Sequence, residues 1–304
     1  MSKLITVFGA TGNQGGSVVR AILADATLSR EFKIRGVTRD TSKPAAKALA
    51  EKGVEVVTAD LASPASVTQA VTGADTVFLV TNFWDSMSED TEFSQGKAVT
   101  DASKAAGVKH LVFSSLRNVT EITGGRMPHV THFDGKAKIE QYMRDSGVPA
   151  TFVLPGMFMS NFYTMIKKQE GVYTLAWPVN PDTAKAPLIS IEEDFGKYVK
   201  IALKQYPSAI GKRILAATDY YSPTRLITEF SEVTGHKAQA VQIPAETFKS
   251  FMSAPVAQEL LENFLLLDDV GYYGGESLEE TKKLLEDEPV SWKDFVARNK
   301  GRWP

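Results

Sequence analysis

Gly9-Ala10-Thr11-Gly12-Asn13-Gln14-Gly15 follows the apolar run Leu4-Ile5-Thr6-Val7-Phe8 and precedes Ser17–Ala24, whose Val18, Val19, Ile22 and Leu23 recur at helical spacing. A short β-type run, a glycine loop and an amphipathic helix in that order form the phosphate-binding turn of a dinucleotide site. Gly9 permits the sharp exit from the strand. Gly12 lets a pyrophosphate approach the backbone, and Gly15 lets helix and strand pack closely. The helix start adds unpaired N–H groups and about half a positive charge. A glycine-rich turn without a ligand is the alternative; the strand–loop–helix order, the glycine spacing and the βαβ pattern downstream argue against it.

Outward from the loop, strand-like runs alternate with helical stretches. Ile34–Thr38 is a strand, then a Lys- and Ala-rich helix over 43–52, then the strand Val54–Val57. Ser63-Pro64 reads as an N-cap with proline in the first helical position, opening a helix that ends near Gly73. Thr76–Val80, a long helix over 88–106 closed by Gly107, and the strands His110–Phe113 and Thr151–Leu154 complete the pattern. Such alternation implies parallel βαβ units, hence an α/β fold with a doubly wound parallel sheet of Rossmann type over residues 1–154. From residue 155 the chain is punctuated by Pro155-Gly156, Trp177-Pro178 and Ala186-Pro187, with helical blocks near 193–205, 222–234, 244–252 and 255–267. Residues 155–304 are expected to form a smaller, mostly helical region that supplies the far wall of a cleft. Lys212–Ala216 has strand character and is a candidate to return to the main sheet.

Composition narrows the function classes. A net charge of −2 over 304 residues offers no basic stripe, so direct nucleic-acid binding is disfavoured. The chain has no cysteine, which removes disulfides, thiolate nucleophiles and thiolate metal sites together. No apolar run approaches ~18 residues and no signal peptide opens the chain, so no membrane span is expected. The expected compartment is the cytoplasm, with the nucleus second. Asn118-Val119-Thr120 then reads as a polar loop rather than a glycosylation site.

The end of the second strand carries cofactor information. An acidic residue there accepts from the ribose hydroxyls of NAD(H), whereas an arginine suits a 2′-phosphate. Here the run is Val37-Thr38-Arg39-Asp40, with Lys43 one turn on. A charge-assisted hydrogen bond from Arg39 is worth about 1.5–3 kcal/mol, enough for a tenfold preference. NADP(H) is therefore the expected cofactor, with NAD(H) the weaker alternative; pairing of Arg39 with Asp40 is the competing reading.

The spacing Gly-x-x-Gly-x-x-Gly is the variant of extended short-chain dehydrogenase/reductase-like proteins. With Gly9–Gly16, Val37-Thr38-Arg39, Thr81-Asn82-Phe83-Trp84, Gln95-Gly96-Lys97 and His132-Phe133-Asp134-Gly135-Lys136, the chain resembles the NmrA-like family of atypical short-chain dehydrogenase/reductase proteins. The resemblance covers nearly the whole chain and is most specific over 1–165. It implies NADP(H) in the Rossmann half, with Thr81, Asn82 and Phe83 on the ribose and nicotinamide side. It further implies that Lys97 and Lys136 approach the cofactor and that Met157 and Phe158 cover the nicotinamide. Some members look like redox sensors or transcriptional co-regulators acting through protein partners; others are reductases of quinones or dyes.

Ordinary short-chain dehydrogenases use a Tyr-x-x-x-Lys pair, the tyrosine donating a proton. This chain keeps Lys136 and has His132 at the tyrosine position, while Tyr163 and Lys167 repeat the spacing outside the place the chemistry needs. Ser115, His132 and Lys136 are the candidate catalytic residues, against the alternative that Lys136 only holds the ribose and His132 only packs. His129-x-x-His132-x-Asp134 has no supporting ligand pair elsewhere, so no metal is expected. Phe83, Trp84, Phe133, Phe158 and Phe162 are candidates to wall a flat apolar pocket, although core burial is the commoner fate of such residues. Two functions are compatible with these residues. The first is an NADP(H)-sensing regulator acting through a protein partner, with the polar segment Arg117–Thr131 as its switch. The second is an NADPH-dependent reductase of quinones or other small flat electrophiles, where positioning matters more than a strong acid.

Overall fold

The computed structural model describes residues 2–304. The first half runs β1 (Lys3–Phe8), α1 (Asn13–Ala24), α2 (Leu28–Glu31), β2 (Phe32–Thr38), α3 (Pro44–Ala50), β3 (Glu55–Thr58) and α4 (Pro64–Val71). It continues through β4 (Thr76–Leu79), α5 (Glu89–Ala105), β5 (His110–Ser114), α6 (Val119–Ile122), α7 (Thr131–Ser146) and β6 (Ala150–Pro155). The second half holds β7 (Met157–Phe158), α8 (Phe162–Met165), β8 (Ile166–Gln169), β9 (Val172–Trp177), β10 (Ala186–Ile189), α9 (Ile191–Lys204) and β11 (Arg213–Ala216). Then come β12 (Asp219–Tyr221), α10 (Pro223–Thr234), β13 (Ala238–Gln242), α11 (Ala245–Lys249), α12 (Ala254–Leu265), α13 (Glu279–Leu284) and α14 (Trp292–Arg298).

Seven parallel strands form the main sheet in the order β11-β6-β5-β4-β1-β2-β3. The strands β4, β5 and β6 are buried along their whole length, as continuous apolar runs demand when both faces are covered. Their side chains alternate between two cores. Phe78, Val112 and Val153 face the layer containing Val18, Val19, Phe195 and Tyr198. Val77, Leu111 and Phe152 face the layer containing Val99, Ile139 and Met143. Strand order reverses between β1 and β4, so the loops after those strands diverge and leave a crevice at the sheet's carboxyl edge.

Helix starts follow their local chemistry. The Ser63 hydroxyl accepts from Ser66 N to open α4, with Pro64 in the first turn, and Ser88 does the same for α5 from Thr91 N. The second half is mostly helical, as expected, and also contains two three-stranded sheets, β12-β10-β7 and β13-β9-β8. The β8–β9 hairpin turns on Glu170-Gly171, both at positive φ (50° and 81°). A glutamate in the first turn position hides the Asn-Gly or Asp-Gly signature by which such turns are read. Strand β11 lies beside β6 in parallel register, and α9 packs on α1. No helix among the described residues is long and apolar enough to cross a membrane.

Candidate functional site

The loop after β1 is closed by Gly12 N donating to Gly9 O at 2.9 Å, with Gly9 at a φ of 66°. A Cβ on Gly15 would stand 2.3 Å from Gly9 O, so α1 meets the loop only because residue 15 has no side chain. The start of α1 has no side-chain cap and no acid in its first turn. Its N–H groups and positive dipole end are left for an anion.

This loop borders a cleft of 470 Å³. Gly9, Thr11, Gly12, Asn13, Gln14 and Gly15 line it, as do Arg39, Thr81 and Asn82. The structure adds Ala59, Asp60 and Leu61 after β3 and Asp85, none of which stands out in the sequence, and from the motif Gln95-Gly96-Lys97 it brings Gln95 to the cleft. The three residues after β3 could have been found from the rule that ligands sit beyond the carboxyl ends of parallel strands. Arg39 is exposed and pairs with Asp85 at 3.0 Å, and Asp85 also accepts from Asn82 Nδ2 at 2.6 Å. Asp40 is not the partner of Arg39, because its carboxylate accepts from Ser42 N and Oγ at 2.9 and 2.6 Å.

Five expected cofactor residues lie off this cleft: Phe83, Lys136 and Met157 line an adjoining chamber, and Lys43 and Lys97 line neither. Lys43 sits at the N-cap position of α3, outside the lining. Lys97 is corrected: it pairs with Asp101 at 2.5 Å and lies over the Tyr142 ring. Two residues along a helix turn about 200°, so with Gln95 facing the cleft, Lys97 must point away.

Gln14, Thr81, Asn82 and Phe158 line both this cleft and the adjoining chamber of 350 Å³. Its walls are largely apolar: Phe83, Trp84, Phe133, Met157, Phe264 and Tyr272 contribute, and His132, Lys136 and Asn263 are set among them. Phe162 does not join this wall; it is fully buried against Trp177 and Trp292. Lys136 donates to Thr81 O at 3.2 Å, to Thr81 Oγ1 at 3.0 Å and to Glu92 Oε1, which engages all three of its protons. Burial holds the Lys136 ammonium below the usual lysine range, opposed by the Glu92 carboxylate. Glu92 is itself fully buried and also accepts from Thr81 Oγ1 at 2.7 Å.

The imidazole of His132 is largely enclosed, and its Nδ1 lies 2.7 Å from Glu259 Oε1 on α12. The same carboxylate oxygen accepts from His132 N at 2.8 Å and Thr131 Oγ1 at 3.2 Å. It therefore caps α7, whose own N-cap Val130 offers no side-chain acceptor. Burial raises the Glu259 carboxyl, but these His132 contacts outweigh it and leave it below its ordinary value. The Nδ1 contact leaves Nε2 as the second ring nitrogen of a side chain that lines the chamber.

Ser115 is also corrected. It is fully buried and donates to Glu140 Oε2 at 2.6 Å, while Glu140 Oε1 holds Arg144 and Arg213 at 2.8 Å. The hydroxyl is consumed inside this ion-pair cluster and does not line the chamber. In His129-x-x-His132-x-Asp134 the side chains go to three different partners: Glu262, Glu259 and the start of α6. The segment Arg117–Thr131 is not a free loop. Asp134 accepts from Val119 N at 2.6 Å and Thr120 Oγ1 at 2.5 Å, Arg126 pairs with Asp269, and His129 pairs with Glu262 at 2.6 Å. Tyr163 stacks on Phe295, and Lys167 lies over Phe251.

The model of the NmrA-like family matches residues 1–296. The NmrA-like family domain-containing oxidoreductase malD of Malbranchea aurantiaca is 34% identical over 270 residues, 84% of this chain and 78% of malD. The solved structure of Nmra, a negative transcriptional regulator, in complex with NADP superposes with a TM-score of 0.81 at 22% identity, over 97% of this chain and 94% of the other. NADPH-dependent quinone oxidoreductase QOR2 from Escherichia coli, complexed with NADPH, gives a TM-score of 0.78 at 20% identity, over 97% and 99% of the two chains. At such identities the two solved structures establish a shared fold.

Proposed function

The chain belongs to the NmrA-like family, and from that premise we propose that it is a nicotinamide-dinucleotide-dependent oxidoreductase that prefers NADP(H) and reduces a flat, conjugated electrophile such as a quinone. One observation carries this reading: the glycine-loop cleft shares Gln14, Thr81, Asn82 and Phe158 with an aromatic-walled chamber containing a carboxylate-anchored imidazole. The uncapped start of α1, the close approach at Gly15 and the partnerless Gln14 Oε1 fit a dinucleotide lying along the loop. Arg39 at the end of β2 supports the 2′-phosphate form, since the neighbouring Asp40 carboxylate is turned to Ser42.

When bound, the cofactor supplies a hydride. The protein's contribution is placement and one proton. Phe83, Phe133 and Phe158 hold a planar substrate beside the site where Thr81 and Asn82 meet both cavities. His132, with Nδ1 fixed by Glu259, delivers a proton from its other nitrogen to the substrate oxygen and recovers it from solvent. Lys136, tied to Thr81 and Glu92, keeps the β4 end in place and is the residue that would hold a ribose hydroxyl of the bound cofactor.

This geometry supports catalysis over sensing through residues 117–131, a segment anchored at Asp134, Glu262 and Asp269. The test is loss of NADPH absorbance with a panel of quinones, conjugated aldehydes and cationic dyes. Turnover of at least one class is expected. Tight NADPH binding with no turnover on any would overturn the enzyme reading and return the regulator.

A further inference from the structure

Most polar groups that line the substrate chamber are committed within the protein, and Gln14, whose Oε1 has no partner, also lines the dinucleotide cleft and is assigned to it. The Lys136 protons go to Thr81 and Glu92, His132 Nδ1 goes to Glu259, and the Tyr272 hydroxyl donates to Pro155 O at 3.3 Å. Asn161 is exposed at the rim. Asn263 differs from all of these. It is 7% exposed, it lines the chamber between Leu260 and Phe264, and its enclosed Nδ2 finds no acceptor in the protein. A buried donor without a partner is destabilising, and an aliphatic side chain is the natural occupant of so apolar a wall. Asn263 also stands one helical turn from Glu259 on α12, so both lie on the same face of that helix.

We propose that Asn263 is the residue by which the chamber recognises its substrate: its side-chain amide donates a hydrogen bond to an acceptor oxygen on a planar aromatic molecule. The inference rests on the oxidoreductase reading and adds its specificity determinant. His132 and Asn263 are then two polar points in an otherwise apolar wall, one moving a proton and the other selecting ring systems that carry a carbonyl or an equivalent oxygen. A site built around such a donor discriminates strongly against an analogue lacking the acceptor, because the donor is then left unpaired.

The experiment measures binding of 1,4-naphthoquinone and of naphthalene to the NADP⁺-loaded protein, read as the change in tryptophan fluorescence, Trp84 being the one of the four tryptophans that lines the chamber. The oxidised cofactor prevents turnover, and the absence of cysteine removes the thiols that add to quinones fastest. Wild-type protein should bind the quinone at least about tenfold more tightly than the hydrocarbon, the scale of one buried hydrogen bond. Asn263→Leu should erase that difference, weakening the quinone about tenfold while binding naphthalene equally or better, and its melting temperature should not fall. Asn263→Ala, which only removes atoms, repeats the test should the leucine not fit. Equal loss of both ligands, or no loss of either, overturns the role of Asn263 while leaving the chamber a substrate site. Failure of wild-type protein to bind the quinone overturns the chamber reading and this inference with it.

Discussion

Arg39 has to choose between two anions. Its pair with Asp85 is exposed on both sides and worth about 0.2–1 kcal/mol, less than a charge-assisted bond to a phosphate. Arg39→Ala should therefore weaken NADP(H) binding about tenfold or more and leave NAD(H) nearly unchanged. Asp85→Asn should do the reverse, tightening NADP(H) by up to about fivefold, both read by calorimetry; unchanged NADP(H) affinity in the second variant would show that the ion pair does not compete. Arg39 was legible because it sits at a strand end. Asp85 was not, since it reaches Arg39 from 46 residues away. Inside the sheet edge, Glu92 and Lys136 form a buried pair. Glu92→Ala strands an ammonium in the interior and should cost about 3–5 kcal/mol. Adding Lys136→Met should recover much of that loss in chemical denaturation, because removing both charges also removes the need to desolvate them.

Two elements depend on partners that local sequence does not show. Helix α7 has a periodic pattern and a glycine stop at Gly147, yet its start is capped by Glu259 of α12, 127 residues on. Strand β5 opens with His110, buried, its Nε2 2.8 Å from Thr151 Oγ1 on β6. The Thr151 hydroxyl donates to Ala209 O, so it accepts from His110 Nε2–H, and a second proton would have to sit on Nδ1 in the interior. Burial pushes the imidazole down from 6.5 to about 4. The folded value lies below the unfolded one, so the neutral ring favours folding fully above pH 6.5. That contribution is lost as pH falls from 6.5 through about 4, amounting to about 3 kcal/mol. Urea titrations across that window should show the loss in wild-type protein and a shallower one in His110→Gln; identical slopes would remove His110 from the acid sensitivity.

At the scale of the whole molecule, the second half of the chain completes the first. Strand β11 extends the main sheet beside β6, and α9 lies on α1 so closely that a Cβ on Gly196 would stand 2.3 Å from Ser17 O, while Gly196 N donates to Ser17 Oγ at 3.0 Å. Gly196→Val should separate the two helices, cost about 1–3 kcal/mol and lower the single melting transition by several degrees. Two separate transitions would show that the halves unfold independently. The sequence by itself determined the glycine loop, the alternation of strands and helices, the doubly wound sheet and the arginine at the second strand's end. Those features come from short-range physics: a period of two in strands, of 3.6 in helices, and turn chemistry a few residues long. Only the tertiary structure decided which way Lys97 and Ser115 point, that Glu92 meets Lys136, that Glu259 anchors His132, and that Asn263 faces the chamber. The pairings of Lys136 with Glu92 and of His132 with Glu259 span 44 and 127 residues, and no local pattern marks Glu92 or Glu259. Their energy exists only after the sheet and α12 have brought the side chains together and water has been excluded around them.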